Sequence, residues 1–476
     1  MRESDKKQEL RRLFDELAPQ RKNWLKKNAC FYDDDTRYLR FLIPEGKRVL
    51  ELGCGTGQML QALAPAHGVG VDFSIEMIRI ARADHPDLTF VCADMEDREA
   101  LRRIEGPFDF ILMSDVMGHL EDVEETLLGL HSLCDARTRI IITHYNQYWE
   151  PVLRLGGRLG WRMPSPVQNW LTSRQIQGFL SLANLELVRR EWRQWLPLPF
   201  FGLERIINHT LGTLPLVRHL CLRRIFVARP VPRGEMEEPS VTIVIPCRNE
   251  FGNIEAAIRR IPRFCRDMEI IFVEGHSQDG TFEEIQRVIA CYPDRDIKCF
   301  KQKGNNKGDA VRLGFAAGRG TVLMILDADL TVPPEDLPKF YRAVVQGKGE
   351  FVNGSRLIYP LENEAMRTLN LWANMFFSQL FSWLLNQPIS DTLCGTKVLF
   401  RRDYEQIAAN RHYFGEFDPF GDFDLLFGAT KANLRIIEVP IRYRARSYGE
   451  TQILRFRHGA LLLRMVLFAF KKLKPL

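Results

Sequence analysis

Asp327 and Asp329 are two carboxylates separated by one residue, directly after an apolar run, 322–326, that predicts a buried strand. Residues i and i+2 of an extended chain point the same way, so both side chains can reach one ligand. Carboxylate oxygens are the ligands that Mg²⁺ and Mn²⁺ prefer. An aspartate-rich surface loop would give the same short pattern, so the metal hypothesis depends on the motifs around it.

A second group of chemistry-bearing residues lies in the first half, where the predicted strand 48–52 runs into a glycine-rich turn. The acid and the glycines of this turn are Glu51, Gly53, Gly55 and Gly57. Such a strand-to-helix turn lets a ligand approach the backbone closely. About twenty residues later a second predicted strand ends in Asp72, the expected place for an acid that binds ribose hydroxyls. These features are compatible with either S-adenosylmethionine or a nicotinamide cofactor.

The next two predicted strands also end in polar residues, at Asp94 and at Ser114-Asp115. Four such strands with helical spacers predict a parallel, doubly wound α/β sheet, which binds ligands at the carboxyl ends of its strands. Asp94 and Asp115 could instead be helix N-caps. We interpret His119 as a polar residue that opens the next helix rather than as a general base. The tryptophans between Trp149 and Trp195 are mostly assigned to structural core.

With its acid inside the motif, the Glu-x-Gly-x-Gly-x-Gly turn resembles the class I S-adenosylmethionine-dependent methyltransferases, over about residues 40–230. The resemblance implies a Rossmann-like fold and S-adenosylmethionine rather than NAD. It also implies that Asp72 binds the ribose, that Asp94 reads the adenine amino group, and that Ser114 joins this site.

Five motifs follow in order in the second half. They are Pro246-x-x-Asn249-Glu250, Glu274 at the end of the second strand, Ser277-x-Asp279-Gly280-Thr281, Lys307-Gly308, and Asp327-x-Asp329. This set resembles the family 2 glycosyltransferases with a GT-A fold, over about residues 240–450. The resemblance implies an inverting enzyme that takes a UDP- or GDP-sugar and a divalent metal held by Asp327 and Asp329. Glu250 and Glu274 would bind the base and the ribose. The family often has a second aspartate in the turn after the second strand, and Gly275 replaces it here, so the identity of the nucleotide base is not determined.

Within that family, residues 327–335 are most similar to the polyprenyl-phosphate branch, which includes dolichol-phosphate mannosyltransferases. Arg356 and Arg446 then fall where the branch carries cations for phosphate, although Gln452 replaces a usual lysine. The alternative acceptor is a hydroxyl of a saccharide or small molecule. Asp422 or Asp424 would then be the general base.

Length and composition predict several domains and a soluble, reduced environment. A chain of 476 residues is too long for one ordinary core. Its ten cysteines form no Cys-x-x-Cys pair, which favours the cytoplasm. The net charge of +6 does not require nucleic acid. The predicted segments are a methyltransferase domain over 1–229, a linker over 230–240, a glycosyltransferase domain over 241–452, and a basic amphipathic helix over 453–476.

The sequence leaves alternatives for two properties, namely contact with a membrane and catalysis by the first domain. The basic C-terminal helix would suit either a membrane interface or a core with a solvated basic end. No segment is long and apolar enough to predict a transmembrane helix, so membrane contact would be peripheral. Together the motifs predict a bifunctional transferase, and the alternative is a first domain that binds S-adenosylmethionine without catalysis.

Overall fold

The chain folds into two compact units, the first ending at Val231 and the second continuing to Lys474. The structure is a computed structural model, and each unit is described by itself. The described residues are 5–164, 168–231, 238–304, 306–356, 368–413, 423–441, 444, 446, 448 and 455–474.

The first unit is built on a seven-stranded sheet with the order β3-β2-β1-β4-β5-β7-β6. Its strands are β1 Arg48–Leu52, β2 His67–Asp72, β3 Thr89–Cys92, β4 Phe110–Ser114, β5 Arg139–Tyr145, β6 Leu185–Arg193 and β7 Arg223–Pro230. The first five strands are parallel, as the sequence predicts. Strand β7 runs antiparallel to both β5 and β6, so the complete sheet is mixed. The sequence did not predict β6.

Helices on both faces of this sheet bury its apolar strands. They are α1 Asp5–Leu17, α2 Arg21–Lys27, α3 Ala29–Leu42, α4 Gln58–Ala62, α5 Ile75–Asp84, α6 Arg98–Arg102, α7 Val123–Gly129, α8 Glu150–Arg158, α9 Ser173–Leu182 and α10 Glu204–Thr210. Short 3-10 turns occupy Ala18–Gln20, Met117–His119, Leu130–Leu133, Gln147–Trp149, Leu211–Thr213 and Val217–Leu220. Ser74 and Asp122 begin α5 and α7 as N-caps, each accepting a backbone N–H three residues on.

Two interpretations of single residues in this unit are wrong. Asp122, not His119, opens the helix after β4. Among the tryptophans assigned to core, only Trp192 is buried, and Trp161 is 57% exposed. The reason is the same in both cases, because a residue's burial depends on packing between elements that local pattern does not show.

The second unit is also a seven-stranded mixed sheet, with the order β10-β9-β8-β11-β13-β12-β14. The strands are β8 Val241–Cys247, β9 Met268–Glu274, β10 Asp296–Lys301, β11 Val322–Ile325, β12 Phe351–Ser355, β13 Lys397–Phe400 and β14 Ile436–Pro440. Strand β13 runs antiparallel between β11 and β12. The aspartates at 327 and 329 therefore follow a central strand that is paired on both sides.

Helices and two 3-10 turns complete this unit. The helices are α11 Phe251–Arg260, α12 Thr281–Cys291, α13 Lys307–Ala317, α14 Leu337–Val345, α15 Thr368–Leu385, α16 Arg401–Ala409, α17 Phe423–Lys431 and α18 Arg455–Leu473. The 3-10 turns are Pro334–Asp336 and Arg411–Tyr413. Across the described ranges, every helix is too short or too polar to cross a membrane.

The C-terminal helix α18 is partly a core helix. Its Met465 and Ala469 side chains are buried, and Phe470 stacks on Trp383 of α15 with ring centres 5.6 Å apart. The Tyr413 hydroxyl donates to the Lys472 carbonyl at 2.6 Å. Leu463 and Leu467 of the same helix remain 48% and 65% exposed.

Candidate active sites of the two units

A cavity of about 260 Å³ opens at the carboxyl ends of the strands in the first unit. It is lined by six of the seven residues that the sequence assigns to the cofactor, namely Glu51, Gly53, Gly55, Asp72, Asp94 and Ser114. The seventh, Gly57, lies at the N-cap of α4 with φ +80°. A Cβ at Gly57 would come within 2.7 Å of the Phe90 ring, so the turn requires glycine for space as well as for conformation.

Asp72 is fixed by the backbone of the glycine-rich turn. Its Oδ2 accepts a hydrogen bond from the Gly55 N–H at 2.8 Å, and its Oδ1 accepts one from the Ser74 N–H at 2.9 Å. Burial raises the pKa of Asp72 even though these N–H groups favour its charged form. The two bonds hold the carboxylate at the end of β2 in one orientation beside the cavity.

Glu51 is the most perturbed acid beside this cavity. Burial raises the pKa of Glu51 to about 8. Within the described part of the chain its Oε2 atom is buried and has no hydrogen-bond partner. A buried, unsatisfied carboxyl oxygen suits a ligand that carries positive charge or N–H donors. S-adenosylmethionine, which has both a sulfonium and an ammonium group, fits this requirement.

Helix α1 covers the cavity through Lys7, Leu10 and Phe14. The Lys7 ammonium pairs with Asp94 and with Glu96. Burial lowers the pKa of Lys7, but the two carboxylates outweigh this effect and raise it above the ordinary lysine value. Asp94 is therefore not a helix N-cap, since its Oδ1 accepts from the Glu96 N–H at 3.0 Å and Asp97 caps α6. The sequence predicted α1 as an amphipathic helix but gave no sign that it would reach the cofactor residues.

The wall of the cavity includes two acids, Asp35 and Asp115, that a fully buried arginine joins. Arg223 Nη2 lies 2.5 Å from Asp35 Oδ2, and its Nη1 pairs with Asp115. The Arg223 guanidinium also lies over the Tyr145 ring, 4.9 Å from its centre. Burial raises the pKa of Asp35 to about 6, against the influence of Arg223. The sequence analysis did not single out Arg223, which begins the last strand and is far in sequence from the glycine-rich turn.

In the second unit, Lys307 and Asp327 form the centre of the candidate site. Lys307 Nζ lies 2.7 Å from Asp327 Oδ1. Burial disfavours the charged carboxylate, but Lys307 and, at greater distance, Lys397 and Arg356 hold the pKa of Asp327 below its ordinary value. Gly395 packs directly on this pair, since a Cβ there would lie 2.6 Å from Lys307 Nζ and would overlap Asp327.

Asp329 is held by a local turn and by a distant arginine. Its Oδ1 accepts from the Thr331 N–H at 3.1 Å and from the Thr331 hydroxyl at 2.8 Å. Its Oδ2 accepts from Arg446 Nη2 at 2.8 Å, and Arg446 Nη1 lies 3.4 Å from Glu250. Burial raises the pKa of Glu250, although Asn253 and Arg446 oppose this shift. Arg446 thus joins Glu250 after β8 to Asp329 after β11.

Most of the other residues predicted to bind the nucleotide-sugar form a hydrogen-bonded network after β8 and β9. Asn249 Oδ1 accepts from the Gln278 N–H at 2.8 Å, and Glu274 Oε1 accepts from the Ser277 N–H. Asp279 Oδ2 accepts from the Phe251 N–H at 3.2 Å. Pro246 lies near the end of β8, and Gly308 is buried in the first turn of α13. These residues are brought to one edge of the sheet, and their individual roles stay predictions.

Two predicted residues have strong internal partners. Arg356 forms a bidentate pair with the buried Asp391, with contacts of 2.6 and 2.7 Å. Asp424 accepts from Arg411 Nε at 2.8 Å and lies 3.5 Å from Arg312. Two arginines therefore already contact the Asp424 carboxylate. Asp422 lies outside the described residues.

Metal binding would depend on few protein ligands. Among the described residues, no group of three or more His, Cys, Asp and Glu side chains is arranged to hold a metal ion. Asp327 and Asp329 supply the oxygen chemistry that Mg²⁺ or Mn²⁺ requires, and such ions often complete their coordination with waters and substrate phosphates. The two aspartates therefore fit a metal that binds together with a diphosphate.

Residues 24–190 match the family model for a methyltransferase domain, and residues 242–407 match the model for glycosyl transferase family 2. The chain joins a methyltransferase domain to a family 2 glycosyltransferase domain. Both domain assignments and the two-domain α/β fold class agree with the sequence prediction.

The glycosyltransferase domain is similar to two kinds of curated lipid-phosphate enzymes. It is 28% identical over 218 residues to a dolichol-phosphate mannosyltransferase from Pyrococcus furiosus, covering 45% of this chain and 59% of the relative. It is 30% identical over 111 residues to an undecaprenyl-phosphate 4-deoxy-4-formamido-L-arabinose transferase from Aeromonas hydrophila, covering 22% of this chain and 34% of the relative. The matches thus span about a third to three-fifths of these relatives.

Solved structures resemble each domain at low sequence identity. A TehB-like SAM-dependent methyltransferase from Corynebacterium glutamicum matches with a TM-score of 0.30 and 19% identity, covering 45% of this chain and 97% of that chain. A glucosyl-3-phosphoglycerate synthase from Mycobacterium tuberculosis, in complex with Mn²⁺, UDP and phosphoglyceric acid, matches with a TM-score of 0.37 and 19% identity, covering 50% and 79%. Because both TM-scores are low, the domain assignments rest on the family models and the strand orders.

Proposed function

We propose that the chain is a bifunctional transferase. Its methyltransferase domain transfers a methyl group from S-adenosylmethionine, and its glycosyltransferase domain transfers a sugar from a nucleotide-sugar to a polyprenyl-phosphate. The observation that supports the second activity most is the joining of Asp329, Glu250 and Arg446 beside the Lys307–Asp327 pair. Three carboxylates and two cationic side chains meet there, so the site can offer ligands to a metal and positive charge to phosphate groups.

Donor activation is assigned to the strand ends of the glycosyltransferase domain. A divalent cation held by Asp327 and Asp329 would neutralise the charge of the leaving nucleoside diphosphate. Lys307, 2.7 Å from Asp327, is placed to add a second positive charge near the same group. In the inverting reaction the acceptor oxygen forms its bond to the anomeric carbon as the bond to the diphosphate breaks on the opposite side.

A phosphate acceptor agrees with the presence of two cations, Lys307 and Arg446, at the site. A phosphate oxygen is already ionised near neutral pH, so its attack needs cations that hold it rather than a base that deprotonates it. Arg446 is such a cation, and Asp424 is occupied by Arg411 and Arg312. The names of the two relatives, which specify dolichol-phosphate and undecaprenyl-phosphate, point to the same class of acceptor.

Defined acceptors and two variants test this assignment. With a polyprenyl-phosphate and a panel of UDP- and GDP-sugars, Arg446→Ala should lower transfer about a hundredfold with little change in donor affinity. Asp424→Asn should retain appreciable activity. Arg319→Ala, which removes an exposed arginine paired with Asp267 and Asp296, is the matched control.

The opposite pattern would favour the hydroxyl acceptor. If Asp424→Asn loses transfer with intact donor binding while Arg446→Ala is tolerated, a carboxylate base is required and the phosphate assignment fails. Asp422→Asn, in the segment outside the described residues, belongs in the same series. A protein that folds and binds nucleotide-sugar but transfers to neither acceptor class would contradict both assignments.

For the methyltransferase domain, we propose that Glu51, Asp72 and Asp94 hold S-adenosylmethionine and that the wall with Asp115 and Arg223 faces the methyl acceptor. Incubation with methyl-labelled S-adenosylmethionine and a lipid and glycan extract should label one product class. Tight cofactor binding without any labelled product would support a domain that binds without catalysis.

The ten unbridged cysteines support a cytoplasmic place for both reactions, at the membrane where the lipid acceptor resides.

A further inference from the structure

One face of the methyltransferase sheet carries a row of basic residues away from the cofactor cavity. The strand register places His144 of β5 opposite Arg224 of β7, and Arg224 opposite Trp192 of β6. Arg190 lies on the same face two residues before Trp192. Arg218, from the 3-10 turn Val217–Leu220, covers the other part of the indole.

The guanidinium groups converge on this single indole ring. The Arg190 and Arg218 guanidinium carbons lie 4.5 Å and 4.4 Å from the centre of the Trp192 ring. The His219 ring meets the same indole edge-on, with centres 5.1 Å apart. We call Arg190, Arg218, His219 and Arg224 the arginine cluster. Stacking on one aromatic ring orients two of its guanidinium groups and leaves their N–H edges for other partners.

No acidic side chain in the described part of the chain forms a direct ion pair with the arginine cluster. Arg224 donates to neutral oxygens, those of Gln147 at 2.6 Å and Asn146 at 2.7 Å. The Nε atoms of Arg190, Arg218 and Arg224 are all buried without a hydrogen-bond partner there. Burial lowers the pKa of Arg218, and the charge of Glu191, which lies 3.8 Å from Arg189, opposes this shift without a direct ion pair to Arg218.

The electrostatics of the cluster agree with an unmet need for negative charge. Burial, followed by the repulsion of Arg218, lowers the pKa of Arg190. Burial also lowers the pKa of His219, and the charges of Arg218, Arg190 and Arg224 lower it further. His144, on the same face, is buried, and burial lowers its pKa to about 4. Several half-buried cations that repel one another are stabilised when an anion binds between them.

Exposed apolar side chains lie next to members of the cluster. Leu216 and Leu220 flank Arg218 in sequence and are 86% and 55% exposed. Tyr148, 65% exposed, lies beside Arg224, whose guanidinium is 6.0 Å from its ring centre. The Trp149 indole N–H, next to Tyr148, donates to the Leu220 carbonyl at 2.8 Å and so brings these two segments together. We call Tyr148, Leu216 and Leu220 the apolar fringe.

We infer that the arginine cluster binds the phosphate of an anionic membrane lipid while the apolar fringe enters the bilayer interface. A soluble phosphate compound would satisfy the arginines but would leave the fringe in water. A lipid surface satisfies both, because anionic headgroups attract arginine and the interface accepts leucine and tyrosine side chains. The inference does not depend on either proposed catalytic activity.

Sedimentation of the full chain with vesicles tests the inference. Vesicles of phosphatidylcholine with phosphatidylglycerol should bind the protein, and vesicles of phosphatidylcholine alone should bind it weakly. Arg190→Gln with Arg218→Gln should weaken binding to the anionic vesicles about thirtyfold, since two arginines near such a surface together contribute roughly 2 kcal/mol. Leu216→Ser with Leu220→Ser should weaken it by a similar factor and should reduce quenching of protein fluorescence by brominated lipid.

The control variant is Arg79→Gln with Arg102→Gln, which removes the same charge from exposed pairs with Glu76 and Glu99 elsewhere on the domain. S-adenosylmethionine binding reports folding in every variant. Equal binding by the cluster variant and the control would overturn the inference and assign membrane contact to another part of the chain, such as α18. Absence of vesicle binding, or saturation of the cluster by millimolar inorganic phosphate with no effect of the fringe substitutions, would overturn it as well.

Discussion

Arg446 Nη2 lies 2.8 Å from Asp329 Oδ2, so the second carboxylate of the Asp-x-Asp motif is already paired with a cation of the same chain. The two residues are 117 positions apart. The first carboxylate is paired in the same way with Lys307. A metal that binds Asp329 must therefore compete with Arg446 or share the carboxylate with it.

This competition predicts opposite effects of two substitutions on metal affinity. Arg446→Ala should raise the affinity for Mn²⁺ in the absence of donor several-fold, the size expected for a partly exposed ion pair. Asp329→Asn should abolish that binding and lower sugar transfer by roughly 10²–10³. Titration of Mn²⁺ followed by electron paramagnetic resonance measures the metal affinity of both variants, and a sugar-transfer assay measures their activity. Full transfer activity of the parent protein in excess chelator would show that no metal is needed.

Gly395 should tolerate no side chain, because a Cβ would overlap Asp327 and lie 2.6 Å from Lys307 Nζ. Gly395→Ala should separate this ion pair and lower sugar transfer about a hundredfold, as small displacements at reacting groups do. Gly178→Ala is the control, since a Cβ at this exposed helical position meets nothing within 4 Å. Equal transfer rates in the two variants would mean that the Lys307–Asp327 geometry does not control the reaction.

The two cofactor sites should fail separately. Asp72→Ala removes the carboxylate that accepts from Gly55 and Ser74 at the end of β2. S-adenosylmethionine binding, measured by calorimetry, should be lost while nucleotide-sugar hydrolysis persists. Loss of both activities in a variant with an unchanged circular dichroism spectrum would contradict two independent sites.

Glu51 should make the stability of the methyltransferase domain depend on pH. Its pKa of about 8 when folded lies above the ordinary glutamate value, so the folded domain keeps a proton that the unfolded chain releases. The contribution of this group to the free energy of unfolding is present at low pH and is lost as pH rises to about 8. Glu51→Gln should remove the loss, and the variant should gain on the order of 1–3 kcal/mol relative to the parent between pH 5 and 8.

Urea unfolding followed by tryptophan fluorescence measures this effect. The probe reports mainly on this domain, which contains Trp24, Trp149, Trp161, Trp170, Trp192 and Trp195. Glu76→Gln, which removes an exposed carboxylate paired with Arg79, is the control and should show no such trend. A parallel pH dependence in the parent and Glu51→Gln proteins would show that Glu51 is ionised in the folded state.

Most strands of the methyltransferase sheet, the glycine-rich turn and the Asp-x-Asp motif could be predicted from the sequence, whereas β6 could not. Apolar runs of strand length, glycines at a strand-to-helix turn, and acids at strand ends are local features, and local conformation determines them. The order in which they occur was also sufficient to indicate both family resemblances. Because parallel strands bring their carboxyl ends to one edge of a sheet, the convergence of Glu51, Asp72 and Asp94 followed from pattern alone.

The partners of these acids were decided by tertiary structure. Arg223 reaches Asp115 from 108 positions away, and Arg446 reaches Glu250 from 196. Lys7 similarly reaches Asp94 from a helix that precedes the first strand. No local pattern distinguishes these cations from ordinary surface charge. Only the packing of distant elements determines which charges share a low-dielectric site, and hence which acids stay ionised, which are paired, and which oxygen is left for a ligand.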